Sequence, residues 1–92
     1  MTNKVEFSRI QLLLSKLQYI FVLVPGTTTT ICVAQLPNGF TVGRGESACV
    51  DPTNYNKELG EKYSKERALA DATNQLWLLE GYVLASKLNP VE

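Results

Sequence analysis

The stretch that decides the fold runs from Thr27 to Val50 and reads TTTTICVAQLPNGFTVGRGESACV. Its β-branched residues alternate between two faces, which is typical of strands. Pro37-Asn38-Gly39 separates two such runs, and Asn and Gly tolerate the positive φ that a tight turn needs. The stretch therefore predicts a hairpin of strands Thr27 to Leu36 and Phe40 to Val50, the second one interrupted by a bulge at Gly43-Arg44-Gly45.

Two further elements precede this hairpin. Tyr19 to Val24 is an aromatic and β-branched run that ends at the Pro25-Gly26 turn, so it predicts another strand of the same sheet. Before it, apolar residues recur at helical intervals from Lys4 to Gln18, which predicts an amphipathic helix. Asn3 and Glu6 have the spacing of a helix N-cap and its reciprocal acid.

The residues after the hairpin have a helical pattern. Asp51-Pro52 is typical of a helix start, because Asp accepts from free N–H groups and Pro suits the first helical position. One straight helix from Pro52 to Leu88 would be about 55 Å long at 1.5 Å per residue, which exceeds the size of a compact domain. We therefore expect a break at Gly60 or Gly81, with a short helix near Pro52 to Leu59 and then a long helix from about Glu61 to Glu80 that could continue to Leu88.

These elements predict a single α+β domain over residues 1–92. It has an N-terminal helix, a three-stranded antiparallel β-meander and a long C-terminal helix packed on the sheet. A chain this short buries only about two-thirds of the surface that its unfolded form exposes, so its core is thin. Leu76 to Leu79 is an apolar run wider than one helix face, and we expect a homo-oligomer with this helix in the interface.

Composition narrows the classes of partner. Nine basic and nine acidic residues give a net charge of zero, which disfavours a nucleic acid polymer as the ligand. No apolar run approaches the roughly 18 residues of a membrane span, and the first residues contain no signal-peptide core. We therefore expect no membrane partner and an intracellular location.

The sequence lacks the usual signs of catalysis. It contains no histidine, and it has no nucleophile-elbow, phosphate-loop or zinc-protease motif. Its two cysteines, Cys32 and Cys49, cannot form a zinc site alone and fit small buried hydrophobic positions. We expect no enzyme activity, no metal site and no cofactor.

Two segments suggest a binding site for a small anion. The glycines around Arg44 could let backbone N–H groups converge on an anion beside the guanidinium, or they could only bend the strand. Arg67 lies close to Tyr63 in the helical pattern and would form a cationic and aromatic surface that suits a nucleobase and its phosphate. The alternative is that the arginine is solvated and the tyrosine belongs to the core. The groups that could complete such a site are Phe40, Asp51, Asn54 and Tyr55.

Several strings resemble a known family. Gly45-Glu46-Ser47-Ala48-Cys49-Val50-Asp51-Pro52, with Thr30 to Ala34 and Leu79 to Tyr82, resembles small tailed-phage accessory proteins of unassigned function. The resemblance covers about Thr27 to Leu88. The family pattern lacks Gly43-Arg44 before this string, so a role for Arg44 is not inherited from it.

The resemblance implies a phage protein that acts in the host cytoplasm. Small phage accessory proteins commonly blunt host defence, and one class sequesters the cyclic nucleotide signals of Thoeris and CBASS systems in compact oligomers. The chain is similar to that class in size, neutrality and lack of catalytic residues. We therefore expect sequestration of a cyclic oligonucleotide or a cyclic ADP-ribose isomer. The alternatives are binding and inhibition of a host defence protein, or a minor structural or assembly role.

Overall fold

The computed structural model describes residues 4–91 and shows the α+β architecture predicted from the sequence. The helices are α1 (Phe7–Ser15) and α2 (Lys57–Leu88), the strands are β1 (Gln18–Leu23), β2 (Thr29–Gln35) and β3 (Thr41–Ala48), and a 3-10 turn spans Pro52–Asn54. The strands form one sheet in the order β1-β2-β3 with both pairings antiparallel. Helix α2 packs across this meander, as expected.

Small residues form the contact between α2 and the sheet. A four-residue repeat on the buried face of α2 comprises Gly60, Ser64, Ala68 and Ala72. Gly43 and Gly45 of β3 lie directly against this repeat. A Cβ atom added to Gly43 would lie 2.6 Å from the Ala72 nitrogen, and one added to Gly45 would collide with the Ala68 nitrogen. The helix and strand backbones are therefore in direct contact, with no side chain from β3 between them.

Other buried residues complete the core on either side of this contact. Cys32 and Ala34 of β2 are fully buried beneath α2, while Ile10 of α1 and Leu76 of α2 are the largest buried side chains. Tyr19 and Phe21 of β1 and several leucines around α1 pack against the same cluster. Both helices therefore cover one face of the sheet.

The outer edge of β3 is also covered by α2. The Arg44 backbone N–H donates to Asp71 Oδ2 at 3.0 Å, and Arg67 Nη1 donates to the Glu46 carbonyl at 2.5 Å. These bonds occupy backbone groups that would otherwise be open to pairing with another chain. Asp71 and Arg67 therefore fix α2 along the edge as well as across the face.

The prediction that the C-terminal helix breaks at Gly60 or Gly81 is wrong. Helix α2 runs unbroken for 32 residues, and the molecule extends 55 Å with a radius of gyration of 16.5 Å, against about 12 Å for a compact domain of this size. A Cβ on Gly60 would lie 2.7 Å from Thr30 Oγ1, so this glycine permits contact with β2 and does not end the helix. The C-terminal turns of α2 extend beyond the sheet.

Three predicted boundaries also need correction. Helix α1 begins at Phe7 and ends at Ser15, with Glu6 as an N-cap that makes no side-chain bond. The predicted partner of Glu6, Asn3, lies outside the described residues. Gly43-Arg44-Gly45 does not interrupt β3. A bulge is present in this strand, as predicted, but it lies at Val42, because Ala34 pairs with Gly43 and the next residue pairs with Thr41.

The helix start predicted at Asp51-Pro52 is a single 3-10 turn. Asp51 does act as an N-cap, because its side chain accepts from the Thr53 N–H, but the turn ends at Asn54. The cap of α2 is Asn56, whose Oδ1 accepts from the Leu59 N–H. Tyr55 lies between this turn and Asn56, and its backbone is extended.

The contact between α2 and β3 makes Gly43 and Gly81 a matched pair for mutation. Gly43→Ala is expected to lower the free energy of unfolding by about 3 kcal/mol, because backbone atoms of α2 occupy the space that the methyl group needs. Gly81→Ala meets nothing within 4 Å and is expected to raise the same free energy by about 0.5–1 kcal/mol, because Ala favours a helix interior. Urea unfolding followed by circular dichroism measures both. Equal effects of the two variants would contradict the close contact.

Candidate functional site

A cleft of about 220 Å³ lies where the C-terminal end of β3 meets the first turns of α2. We call it the Tyr55 cleft. Four of the predicted site residues line it together: Asn54, Tyr55, Tyr63 and Arg67. Thr28, Ser47, Cys49 and Asn56 also contribute to its wall. The cleft therefore combines two aromatic rings, one guanidinium and several amides and hydroxyls.

The end of the sheet and the start of α2 are tied together around this cleft. Ser47 Oγ donates to the Gly60 carbonyl at 3.0 Å, and Thr28 Oγ1 donates to the Cys49 carbonyl at 2.5 Å. Asn56 caps α2 with the 3.2 Å bond to Leu59. These bonds hold the walls of the cleft in place.

Tyr63 and Arg67 face the cleft from the same side of α2. They are four residues apart, so their side chains lie one above the other on the helix. Tyr63 is 45% exposed, and Lys62 Nζ lies 5.6 Å from its ring centroid. Arg67 directs one N–H to the Glu46 carbonyl, which leaves other donors of its planar group for a second partner. The Tyr63 ring and the Arg67 guanidinium therefore offer a flat apolar surface beside an anchored cation.

A second recess lies on the other side of Tyr55. Its volume is about 360 Å³, and its lining includes Phe21, Lys57 and Glu61. Thr30 also borders it, and the buried Thr30 hydroxyl has no hydrogen-bond partner within residues 4–91. Tyr55 is thus the wall between two recesses, with Arg67 in one and Lys57 in the other.

Phe40 and Arg44 lie elsewhere. They border a third recess at the opposite end of β3, together with Asp71. The Arg44 N–H already donates to Asp71, and the flanking glycines pair with β2, so this segment does not form the predicted backbone site for an anion. Phe40 is 50% exposed beside the hairpin turn.

Asp51 lies outside the Tyr55 cleft and has a local structural role. Its carboxylate accepts from the Thr53 N–H at 3.0 Å and from the Thr53 hydroxyl at 2.8 Å. These two bonds lower the pKa of Asp51 below its usual value, and the bond from the backbone N–H has the larger effect. Asp51 therefore shapes the turn that leads into Tyr55 and does not line the cleft itself.

The sequence profile of the Phage protein (N4 Gp49/phage Sf6 gene 66) family matches residues 4–88. The chain belongs to this family. No curated protein and no solved structure matches it. Membership confirms a phage accessory protein and assigns no activity, so any specific function of this phage protein has to be argued from its own residues.

Residues 4–91 contain neither a candidate membrane span nor a candidate metal cluster. No helix in this part of the chain is both long and apolar enough to span a bilayer. The same residues bring together no group of three or more His, Cys, Asp or Glu side chains that could hold a metal ion.

Sequence reasoning missed several residues of the Tyr55 cleft. Ser47 and Cys49 were assigned only to a strand, although they alternate along β3 and its extension and both reach the cleft. Asn56 stands immediately before the helical pattern, and an Asn at that position is a common N-cap. That signal would have placed the start of α2 correctly and would have identified Asn56 as a residue near the cleft.

The two cysteines provide a test of the geometry. Cys32 is fully buried, and burial raises the pKa of its thiol, so it stays protonated and unreactive. Cys49 is partly exposed on the cleft wall. We expect a thiol reagent such as DTNB to modify one cysteine per native chain and both in denaturant, with Cys49→Ser abolishing the native reaction. Modification of Cys32 in the native protein at a similar rate would contradict this packing.

Proposed function

We propose that this phage protein binds a small nucleotide-derived immune signal in the Tyr55 cleft and sequesters it from the host. The observation that carries this proposal is the convergence of Tyr55, Tyr63 and Arg67 on one cleft. A nucleotide offers a flat base, phosphates and ribose hydroxyls, and each of these has a suitable group in the cleft. The proposed site of action is the host cytoplasm, where such signals are made.

The chemistry of each part of the ligand can be matched to a residue type. A base stacks on an aromatic ring at a gain of about 1–3 kcal/mol, and Tyr63 presents such a ring at the surface. A phosphate pairs with the planar donors of Arg67 through charge-assisted bonds. Asn54 and Asn56, which carry amides, are suitable partners for ribose hydroxyls.

The cleft and the recess beside it, taken together, favour a ligand with two nucleotide-like halves. Its volume of about 220 Å³ is below the range of roughly 300–1,000 Å³ that is typical for ligand pockets. The neighbouring recess adds space on the other side of Tyr55, with Lys57 as a second cation. A cyclic oligonucleotide or a cyclic ADP-ribose isomer has two phosphates or more and would extend across Tyr55. We also propose that the protein is a homo-oligomer.

Sequestration is proposed in preference to conversion because of the groups that face the cleft. The chain has no histidine, and the cation of the cleft, Arg67, carries hydrogen-bond donors and no acceptor. Cys49 donates its S–H to the Asp51 carbonyl and is therefore not paired with a base. The cleft thus supplies groups for binding, and we propose that the protein has no enzyme activity and needs no cofactor.

A second candidate function is inhibition of a host protein. The part of α2 that extends beyond the sheet exposes Leu78 by 67% and Tyr82 by 62%. An exposed apolar surface of this kind is typical of a protein-binding site. A structural or assembly role in the virion has no comparable observation in its favour.

A thermal-shift screen tests the proposed ligand class. The probes are cyclic dinucleotides, cyclic trinucleotides and cyclic ADP-ribose isomers, each recovered afterwards and checked for chemical change. A ligand at one hundred times its Kd is expected to stabilise the fold by about 2.7 kcal/mol, which is a shift of several degrees for a domain of this size. Absence of any shift would refute nucleotide binding, and an altered ligand would show that the protein is an enzyme.

Matched variants test the residues of the cleft. Arg67→Ala and Tyr63→Ala are expected to weaken binding at least about tenfold, because each removes a main contact. Arg9→Ala and Tyr82→Ala are the controls, since Arg9 pairs with Glu80 on the far side of the molecule and Tyr82 lies outside the cleft. Isothermal titration calorimetry measures the Kd of all four. Equal losses in the test and control variants would show that the cleft is not the binding site.

A further inference from the structure

The face of the sheet opposite the helices has an unusual composition. Tyr19 and Phe21 point toward the core, so the alternate residues of β1 point away from it. On this outer face, β1 and β2 carry Ile20, Val22, Ile31 and Val33 at the centre and the polar residues Gln18, Thr29 and Gln35 toward the ends. Solvated faces of antiparallel sheets are usually polar, and no helix within residues 4–91 packs against this one.

The strand register arranges the centre of the outer face into two rows, between a polar row of Gln18, Gln35 and Thr41 and the pair of Thr29 with Ala48. Ile20 pairs with Val33, which pairs with Arg44. Val22 pairs with Ile31, which pairs with Glu46. Each row thus holds two apolar residues followed by one charged residue, and the charges of the two rows are opposite.

Arg44 and Glu46 are both exposed, and neither side chain forms a hydrogen bond or ion pair within residues 4–91. They lie two residues apart on β3 and point to the same side of the sheet. The pair is therefore self-complementary, since a second copy of the chain presents Glu46 where the first presents Arg44.

We propose that this outer face binds a second copy of the chain, with the two sheets packed face to face. The twofold axis lies between the two sheets and runs perpendicular to the strands. This axis exchanges the two rows, so Arg44 of each copy meets Glu46 of the other. It also places Val33 against Ile31 of the other copy, in the way that β-sandwich layers pack about 10 Å apart. The proposal uses the face away from the Tyr55 cleft and does not depend on the proposed ligand.

A twofold axis parallel to the strands is excluded by the same rows. It would place Arg44 of one copy against Ile20 of the other and bury both charges against apolar residues, which is unfavourable. The face is about 14 Å wide and 20 Å long from ordinary strand spacing and rise. An interface of this size is small, so we expect a dimer that forms at micromolar concentrations.

Charge exchange tests the proposed pairing. Sedimentation equilibrium from 1 to about 500 μM gives the dimer Kd, and circular dichroism confirms that each variant is folded. Arg44→Glu and Glu46→Arg are each expected to raise the Kd at least about tenfold, because like charges then meet across the interface. An equimolar mixture of the two single variants, and the double variant alone, are both expected to return the Kd to near the unsubstituted value. Glu66→Arg on exposed α2 is the matched control and is expected to leave it unchanged.

Three outcomes would overturn the proposal. The first is a 10.2 kDa monomer at every concentration tested. The second is a dimer that resists both charge reversals but dissociates with Leu79→Lys, which would assign the interface to the extended end of α2. The third is failure of the mixture and of the double variant to restore association, which would rule out reciprocal pairing of Arg44 and Glu46.

Discussion

The direct contact between the backbones of α2 and β3 is the constraint on which the rest of this structure depends. It exists because Gly43 and Gly45 have no side chain and because α2 presents Ala68 and Ala72 at the same positions. At this separation Asp71 and Arg67 reach the outer edge of β3 and bond to its backbone. A larger residue in the contact would lift the helix and break these edge bonds. One set of small residues therefore fixes the position of α2 against both the face and the outer edge of the sheet.

The Tyr55 cleft follows from the same constraint. Its walls belong to the end of β3 and the first turns of α2, so the distance between those elements sets its width. Arg67 has two parts in this arrangement, because it closes the sheet edge at Glu46 and faces the cleft with the rest of its guanidinium. A ligand that pairs with Arg67 would therefore also strengthen the attachment of α2 to the sheet. The proposed binding and the stability of the fold are linked through one side chain.

Most of the architecture could be predicted from sequence because alternation, turn residues and helical spacing are local signals. The helix-sheet contact could not, since pattern analysis follows large apolar residues, and Leu69, Leu79 and Val83 of α2 lie at the surface. Gly60 was interpreted as a helix breaker because its tight contact with Thr30 depends on a distant strand. For the site, Tyr63 and Arg67 were found through their spacing on one helix. Arg44 and Phe40 were grouped with them and border a separate recess, because sequence spacing does not show how the strand residues lie relative to the helix.

The most direct test of the central contact is a nuclear Overhauser measurement on the labelled protein in solution. The close packing predicts strong effects between the Hα protons of Gly43 and the amide proton of Ala72, and between those of Gly45 and the amide proton of Ala68. If these effects are absent while those between β2 and β3 are present, side chains or water separate the helix from the sheet. That result would contradict the backbone contact and, with it, the proposed origin of the Tyr55 cleft.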